Sequence, residues 1–340
     1  MGIKGLTNVI RKEAPVGIEI TKITSLKGKR VAIDMSLVAY QCLIGRFNSV
    51  NLMDKEGKTT SHISGIMYRF AEYLRQGIIP IGVFDGKPPE EKKITLNARN
   101  KEVTSCKDKI DELKQLEQTF DIKQKISSLE KKTVKMTWQH GDDLKKLLKY
   151  MGIKTYQANG EAETACVWLV KNNLADTIMT EDMDTLVYGE YGINMTLVRR
   201  NVFRNSPPDE IYIFHLDTIL DKLGLTMEQF IDMCLICGSD YTDSIPRIGS
   251  RTAYKYIKKY ETLEKTLKYI RDNNPNPTPT DIEYSKAKDI FKRNYDGIIY
   301  DDELESTSID SDPEKLKNFL LEKNFQEKRI NTLIKKTYGI

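Results

Sequence analysis

The run TIMTEDMDTLVYG at 177–189 closes a β-prone apolar stretch with three acids in four residues, Glu181, Asp182 and Asp184. Like charges this close repel, and burial against a sheet raises the cost. Water must bathe them or a cation must hold them. Two further apolar runs end in the same way: 31–33 is followed by Asp34, and 79–84 by Asp85. One acid after a strand is ordinarily a loop or capping residue. Three strands sending acids to one edge point to a ligand site, because such sites form at the carboxyl ends of parallel strands.

Glu161 and Glu163 open a helix expected at 161–172, where acids also suit the helix dipole. Residues two apart diverge on a helix, so both face one site only if that turn points into it. Another helix begins at the capping-box pattern Thr226–Gln229 and ends in CGSDY, 237–241. Gly238 suits its left-handed C-terminal position, and Asp240 then lies at a negative helix end that disfavours an acid without a cation. Seven acids thus compete for one locale: Asp34, Asp85, Glu161, Glu163, Asp182, Asp184 and Asp240. Oxygen-only ligation suits Mg²⁺ or Mn²⁺. Two such ions roughly 4 Å apart can activate water and stabilise the leaving oxygen in phosphodiester hydrolysis.

The elements that must position these acids follow from the hydrophobic pattern. Runs at 31–33, 79–84, 177–179 and 195–198 read as strands, and 61–75, 142–151 and 161–172 as helices between them. This alternation predicts an α/β fold with a mostly parallel central sheet flanked by helices. Residues 90–137 are charged and poor in large apolar side chains, which predicts a helical excursion with little core of its own. NNPNPTPT at 273–280 reads as a loop or hinge. Beyond it lie an aromatic-basic helix, an acidic patch at 300–312 and a final amphipathic segment.

The chain's 340 residues, 39% of them hydrophobic, can bury a sizeable core, and the length suggests about two domains. No apolar run approaches the roughly 20 residues of a membrane helix, no signal peptide opens the chain, and Leu6 breaks the myristoylation motif. A soluble, intracellular protein with no membrane partner is expected. Cys234 and Cys237 form a CxxC inside an apolar helical run and read as core, and five scattered cysteines argue against a disulfide framework. His62, His140 and His215 are too dispersed to suggest zinc ligation or a triad. The net charge of +4 is small, but basic residues gather at 87–140, 243–271 and 314–340. Such local surfaces fit a polyanionic partner, although any one of them is ordinarily a solvated face.

MGIKGL at the start, VAIDMSLVAYQ around Asp34, KTTSHISG at 58–65, VFDGKPP around Asp85, GEAE at 160–163, TEDMDTL at 180–186 and GSDY at 238–241 form an ordered set. With these spacings the sequence resembles the flap endonuclease/XPG family over nearly its whole length. The resemblance implies a PIN-like 5′ nuclease core at 1–255, carrying a helical arch (about 87–140) and a helix–two-turn–helix (about 226–260). A mainly helical extension, 256–340, would pack on it. The implied activity is structure-specific 5′ flap endonuclease and 5′–3′ exonuclease cleavage of branched DNA in replication and repair, with two Mg²⁺ ions or Mn²⁺ in their place.

By the same resemblance all seven acids are metal-site residues, with Asp34, Asp85, Glu161 and Asp182 counted as catalytic. Lys92 and Arg99, two helical turns apart, match a basic pair that stabilises the reacting phosphate. Tyr40 matches an aromatic that stacks on a base, with core packing the alternative. Gly2, after removal of Met1, would place a free amine near the junction. Arg247, Gly249 and Arg251 fall in the element that grips duplex backbone through amides and K⁺. Thr60, Lys323 and Arg329 match a pocket for a one-nucleotide 3′ flap.

Three departures matter. Arg247 stands where the family usually has glycine, which puts the turn and its potassium in question. Residues 100–112 contain no arginine where relatives are arginine-rich. No clamp-binding motif precedes Ile340, so sliding-clamp binding is not expected unless the protein continues further. A monomer is expected, nuclear by family resemblance, or cytoplasmic if viral or prokaryotic. The related exonuclease and four-way junction resolvase are alternatives within the class, disfavoured by the arch length and KTTSHISG. A catalytically silent DNA-binding scaffold is the alternative outside it, disfavoured by the retained acids.

Overall fold

The acid-terminated runs become neighbouring strands. The computed structural model describes residues 2–44, 52–89, 92–117, 119–200, 207, 209–273, 279–292, 298–299 and 310–339. Most of the loop at 273–280 and of the acidic patch at 300–312 therefore lies outside the described residues. The strands are β1 (Ile18–Lys22), β2 (Arg30–Asp34), β3 (Ile79–Phe84), β4 (Lys154–Ala158), β5 (Thr177–Met179), β6 (Thr196–Arg199), β7 (Glu210–His215) and β8 (Ile298–Ile299). They form one mixed sheet in the order β1-β7-β6-β5-β2-β3-β4-β8. The β3–β2, β2–β5 and β5–β6 pairs are parallel, and β1–β7, β6–β7 and β4–β8 antiparallel.

The helices are α1 (Leu6–Glu13), α2 (Met35–Leu43), α3 (Ser61–Arg75), α4 (Lys93–Lys114), α5 (Phe120–Thr133), α6 (Trp138–Tyr150), α7 (Ala162–Lys171), α8 (Leu216–Leu223), α9 (Met227–Cys237), α10 (Ser250–Tyr260), α11 (Leu263–Asn273), α12 (Asp281–Lys292), α13 (Pro313–Glu322) and α14 (Glu327–Tyr338). No helix among the described residues is long and apolar enough to cross a membrane.

The chain divides into two compact units, both discontinuous in sequence. The first comprises Met1–Asp34, Gln76–Lys87 and Tyr156–Asp302, and the second Met35–Arg75, Pro88–Thr155 and Glu303–Ile340. A division at residue 255 is contiguous by contrast; here α11 and α12 join the first unit, while α13 and α14 join the second. In the first unit, α7 packs on β2, β3 and β5. Its β2 residues Val31, Ala32 and Ile33 are fully buried, which is why that strand reads as an unbroken apolar run. Cys234 and Cys237 are buried free thiols on α9, and burial pushes the Cys237 pKa up to about 12.

In the second unit α3 packs on α2, α6 and α14, and its Ile63, Ile66, Met67 and Phe70 are buried. The charged excursion is a pair of helices in mutual contact, α4 against α5, with Cys106, Ile110 and Ile126 buried. Its core is small rather than absent. His62 and His140, 78 positions apart, meet with ring centroids 4.5 Å apart. Dispersal in sequence was thus a poor guide to these two, although among the described residues they join no third metal ligand.

His62 is buried with neither ring nitrogen hydrogen-bonded. Burial above all, then the charges of His140 and Lys323, pushes its pKa down to about 3. Unfolded histidine binds its proton near pH 6.5, so between 6.5 and 3 the unfolded chain holds the extra proton. This contribution to stability is complete above 6.5 and is lost as pH falls, by about 1.4 kcal/mol per pH unit. Urea unfolding at pH 7.5 and 5.0 should differ by about 2 kcal/mol from this source. His62→Leu should remove that part of the pH dependence.

Candidate active site

The sheet register brings the first acids together. Asp34 ends β2 opposite Val83, and Ile33 lies opposite Met179 on β5, so Asp34 and Thr180 are side by side. The Thr180 hydroxyl donates to Asp34 Oδ2 at 3.2 Å and accepts the Asp182 amide at 3.2 Å. Asp182 Oδ1 in turn accepts the Asp184 amide at 3.0 Å, capping a short 3₁₀ turn, Met183–Tyr188. Glu181 leaves the group: its carboxylate meets Arg199 Nε at 3.5 Å and the Arg200 amide at 3.2 Å. Of the three acids in TEDMD, one is neutralised by a fixed cation and two stay with Asp34.

Asp85 follows β3, and its Oδ1 accepts the Ala162 amide at 2.7 Å, so it caps α7. The exits of β3 and β4 are held together by a Gly86 N–H to Gly160 carbonyl bond of 2.7 Å. A side chain at Gly86 would collide with the Ala158 carbonyl, so only glycine permits this approach. Glu161 is not inside the helix as its sequence position suggested. It is the N-cap residue, in extended geometry (φ −86°, ψ 144°), with Glu163 in the first turn. That one extended residue lets Glu161 and Glu163 escape the divergence of an i, i+2 pair.

Glu163 is half-exposed by surface area, yet protein surrounds its carboxyl densely. Burial first, then the charges of Asp34, Asp85, Glu161 and Asp182, raises its pKa well above the usual carboxylate range. Five carboxyls from two strand exits, one strand-to-turn exit and one helix start are therefore electrostatic neighbours. Among the described residues, no three His, Cys, Asp or Glu side chains form a closed metal cage. A hard cation that keeps several of its waters does not require one. An all-carboxylate donor set with this much mutual repulsion fits Mg²⁺ or Mn²⁺.

Asp240 sits on a built turn. The Ser239 amide donates to the Thr242 carbonyl at 2.9 Å, the Tyr241 amide to Ser239 Oγ at 3.1 Å, and Thr242 Oγ1 to the Leu235 carbonyl at 3.1 Å. Gly238 has φ 90° and ψ 137°, which is not the left-handed helical geometry expected of a helix stop. This region belongs to glycine alone, and the Ser244 backbone crowds its missing side chain.

The N-terminal segment seats against the same acids. Asp184 accepts the Ile3 amide, and a side chain at Gly2 would collide with the Asp182 and Asp184 carboxylates. Lys4 Nζ reaches Ser244 Oγ at 3.0 Å, and Gly5 (φ 75°) abuts Ser250 at the start of α10. Ahead of α10, Arg247 adopts φ 66°, keeping a conformation that glycine favours at a cost of about 1–2 kcal/mol. Gly249 is the N-cap of α10, and nothing crowds the space its side chain would occupy. Arg251 pairs with Glu13 at 3.4 Å.

The remaining sequence candidates lie in the second unit. Lys92 is the N-cap of α4, and Arg99 follows two turns later, half-buried. Tyr40 is half-buried on α2 among the buried Val38, Ala39 and Cys42. Thr60 and Lys323 line one cavity of about 490 Å³ with His140 and Asp143, and Lys323 Nζ lies 2.7 Å from Asp143 Oδ2. Arg329 lines a different cavity of about 450 Å³, with Tyr68, Arg75 and Gln326. The structure brings two of the three together and leaves the third apart.

Three further side chains touch these acids: Thr180, Tyr188 and Tyr241. Thr180 carried a legible signal, a hydroxyl between a strand and its acids. Tyr188 and Tyr241 carried none, being 53 positions apart.

Comparison with known proteins agrees with this architecture. Residues 1–105 match the XPG N-terminal domain and residues 152–240 the XPG I-region. Flap endonuclease 1 of Entamoeba dispar is 36% identical over 100% of this chain and 88% of its own length. Flap endonuclease 1-A of Sorghum bicolor is 37% identical over 99% of this chain and 86% of its own. The flap endonuclease-1 structure from Methanococcus jannaschii, 24% identical, shares the fold over 95% of both chains at a TM-score of 0.67. By its sequence motifs, its two matched domains and its relatives, the chain belongs to the flap endonuclease/XPG family.

Proposed function

We propose that this protein is a divalent-metal-dependent, structure-specific 5′ flap endonuclease with 5′–3′ exonuclease activity. The observation that carries the reading is the convergence of the buried Asp34 and Glu161 with the partly exposed Glu163 and Asp182 and the exposed Asp85, tied together through Thr180 and the Ala162 amide. Asp34, Asp85, Glu161, Glu163, Asp182, Asp184 and Asp240 are the residues offered to two Mg²⁺ or Mn²⁺ ions. Bound there, such ions lower the pKa of a water and take up charge on the leaving oxygen. The protein's own part is to hold the carboxylates in place through Thr180, the Ala162 amide and the 3₁₀ turn. Ca²⁺, with its looser geometry, should support DNA binding without turnover.

Duplex backbone is assigned to the start of α10, where Gly249 is exposed and carries no side chain to crowd an approaching phosphate. The glycine-like φ of Arg247 supports a preserved turn, and K⁺ at that turn is part of the same proposal. Lys92 and Arg99 are assigned to the reacting phosphate, Tyr40 to base stacking and the Gly2 amine to the junction. The working form is proposed to be a monomer, acting in the nucleus as the family resemblance suggests.

The deciding experiment compares single-flap, double-flap, nicked and four-way DNA. A double flap with a one-nucleotide 3′ tail should be cut faster than a 5′ flap alone, leaving a nick that ligase seals. In Lys323→Ala/Arg329→Ala that gain should shrink, with little change on substrates lacking the tail. Uniform weakening on all substrates, with a smaller salt slope, would make the pair ordinary phosphate contacts. Preference for four-way junctions would overturn the flap assignment.

A further inference from the structure

One oxygen of Glu161 is gripped by two phenols. Tyr241 donates its hydroxyl to Glu161 Oε2, and the Tyr188 hydroxyl lies 3.4 Å from the same oxygen. The two hydroxyls are 3.2 Å apart. Each phenol has one proton, so Tyr188 can donate to the carboxylate or to Tyr241, and Oε2 stays bonded in either arrangement. Phe291 of α12 backs both rings, with centroids 5.2 Å from Tyr188 and 5.5 Å from Tyr241, the latter edge-to-face at 82°. Both rings are partly exposed, and their contact with Phe291 limits their freedom to turn away.

We propose that Tyr241 and Tyr188 are positioning residues that fix the Glu161 carboxylate for divalent-cation binding. The proposal rests on the metal-dependent nuclease reading. Glu161 is the one acid of the group that stands at an N-cap position without making a cap bond of its own, so its helix does not orient it. The Asp85 carboxylate caps α7 in its place. A charge-assisted bond from a phenol restrains the torsions of the Glu161 side chain. Tyr241 directly follows Asp240, so the turn that carries one proposed metal-site acid also donates to another, Glu161.

The test uses Tyr241→Phe, which keeps the ring against Phe291 and removes only the hydroxyl, with Tyr188→Phe as a second variant. Mn²⁺ binding to the DNA-free protein is followed by the loss of the free-ion electron paramagnetic resonance signal, alongside thermal melting. Tyr241→Phe should weaken Mn²⁺ about 10- to 100-fold, the usual effect of removing a partner of a metal ligand. Tyr188→Phe should weaken it less, in the same direction. Cleavage by Tyr241→Phe should be slow at limiting Mg²⁺ and recover as Mg²⁺ is raised. Parent-like Mn²⁺ affinity in Tyr241→Phe overturns the proposal; should that variant not fold, parent-like affinity in Tyr188→Phe does so. Failure of the parent itself to bind Mn²⁺ would instead remove the metal-dependent reading.

Discussion

Asp182→Asn is expected to stop cleavage, by about 10³-fold or more, while leaving DNA affinity unchanged or tighter. A metal ion's stabilisation of charge is worth several kcal/mol, and each 1.4 kcal/mol is tenfold in rate. The substitution is clean because the asparagine oxygen can still accept the Asp184 amide that Asp182 Oδ1 accepts at 3.0 Å. The 3₁₀ turn and the seat of the N-terminal segment therefore survive. One negative charge beside the phosphate disappears, which removes repulsion from bound DNA. Single-turnover quenching measures the rate, and fluorescence anisotropy in Ca²⁺ the affinity. A variant cutting within tenfold of the parent, or robust parent cleavage in excess chelator, would refute the metal assignment.

Lys92→Ala should lower the single-turnover rate by about 10²-fold, as removal of other preorganised electrostatic groups does, and weaken binding far less. Lys92 is the N-cap of α4, the positive end of a helix, where a cation is disfavoured and Ser, Thr or Asp would stabilise. Arg99 should behave alike. An equal loss of affinity with no change in rate would reduce both to backbone contacts.

The central strands β2, β3, β5 and β6 were legible as apolar runs, which burial on both faces leaves unbroken in β2. Edge strands gave no such signal. β1, IEITK, pairs on one side only, and three of its five residues are exposed, so charge interrupts its pattern. β4, KTYQA, lies inside the sheet beside β8 yet has no apolar run at all, whereas β7 carries a clear one, Ile211–Phe214, with no acid after it to draw notice. The acids were legible because each follows a strand or a helix end. Contacts between distant side chains were not: nothing in spacing joins Tyr188 to Tyr241 or His62 to His140. The non-helical geometry of Glu161 and the extended positive-φ geometry of Gly238 arise from packing across the chain, which local propensity does not encode.

The pairing of β1 with β7 also sets a schedule for synthesis. Ile18 lies opposite Phe214, so the first strand waits for about 190 further residues before its partner exists. At about 5–20 residues per second, that is roughly 10–40 s on the ribosome with an unpaired strand, a period suited to chaperone capture. The acids follow the same timetable, from Asp34 early to Asp240 late. Any product of premature termination before residue 240 lacks the last of the seven acids proposed to hold metal.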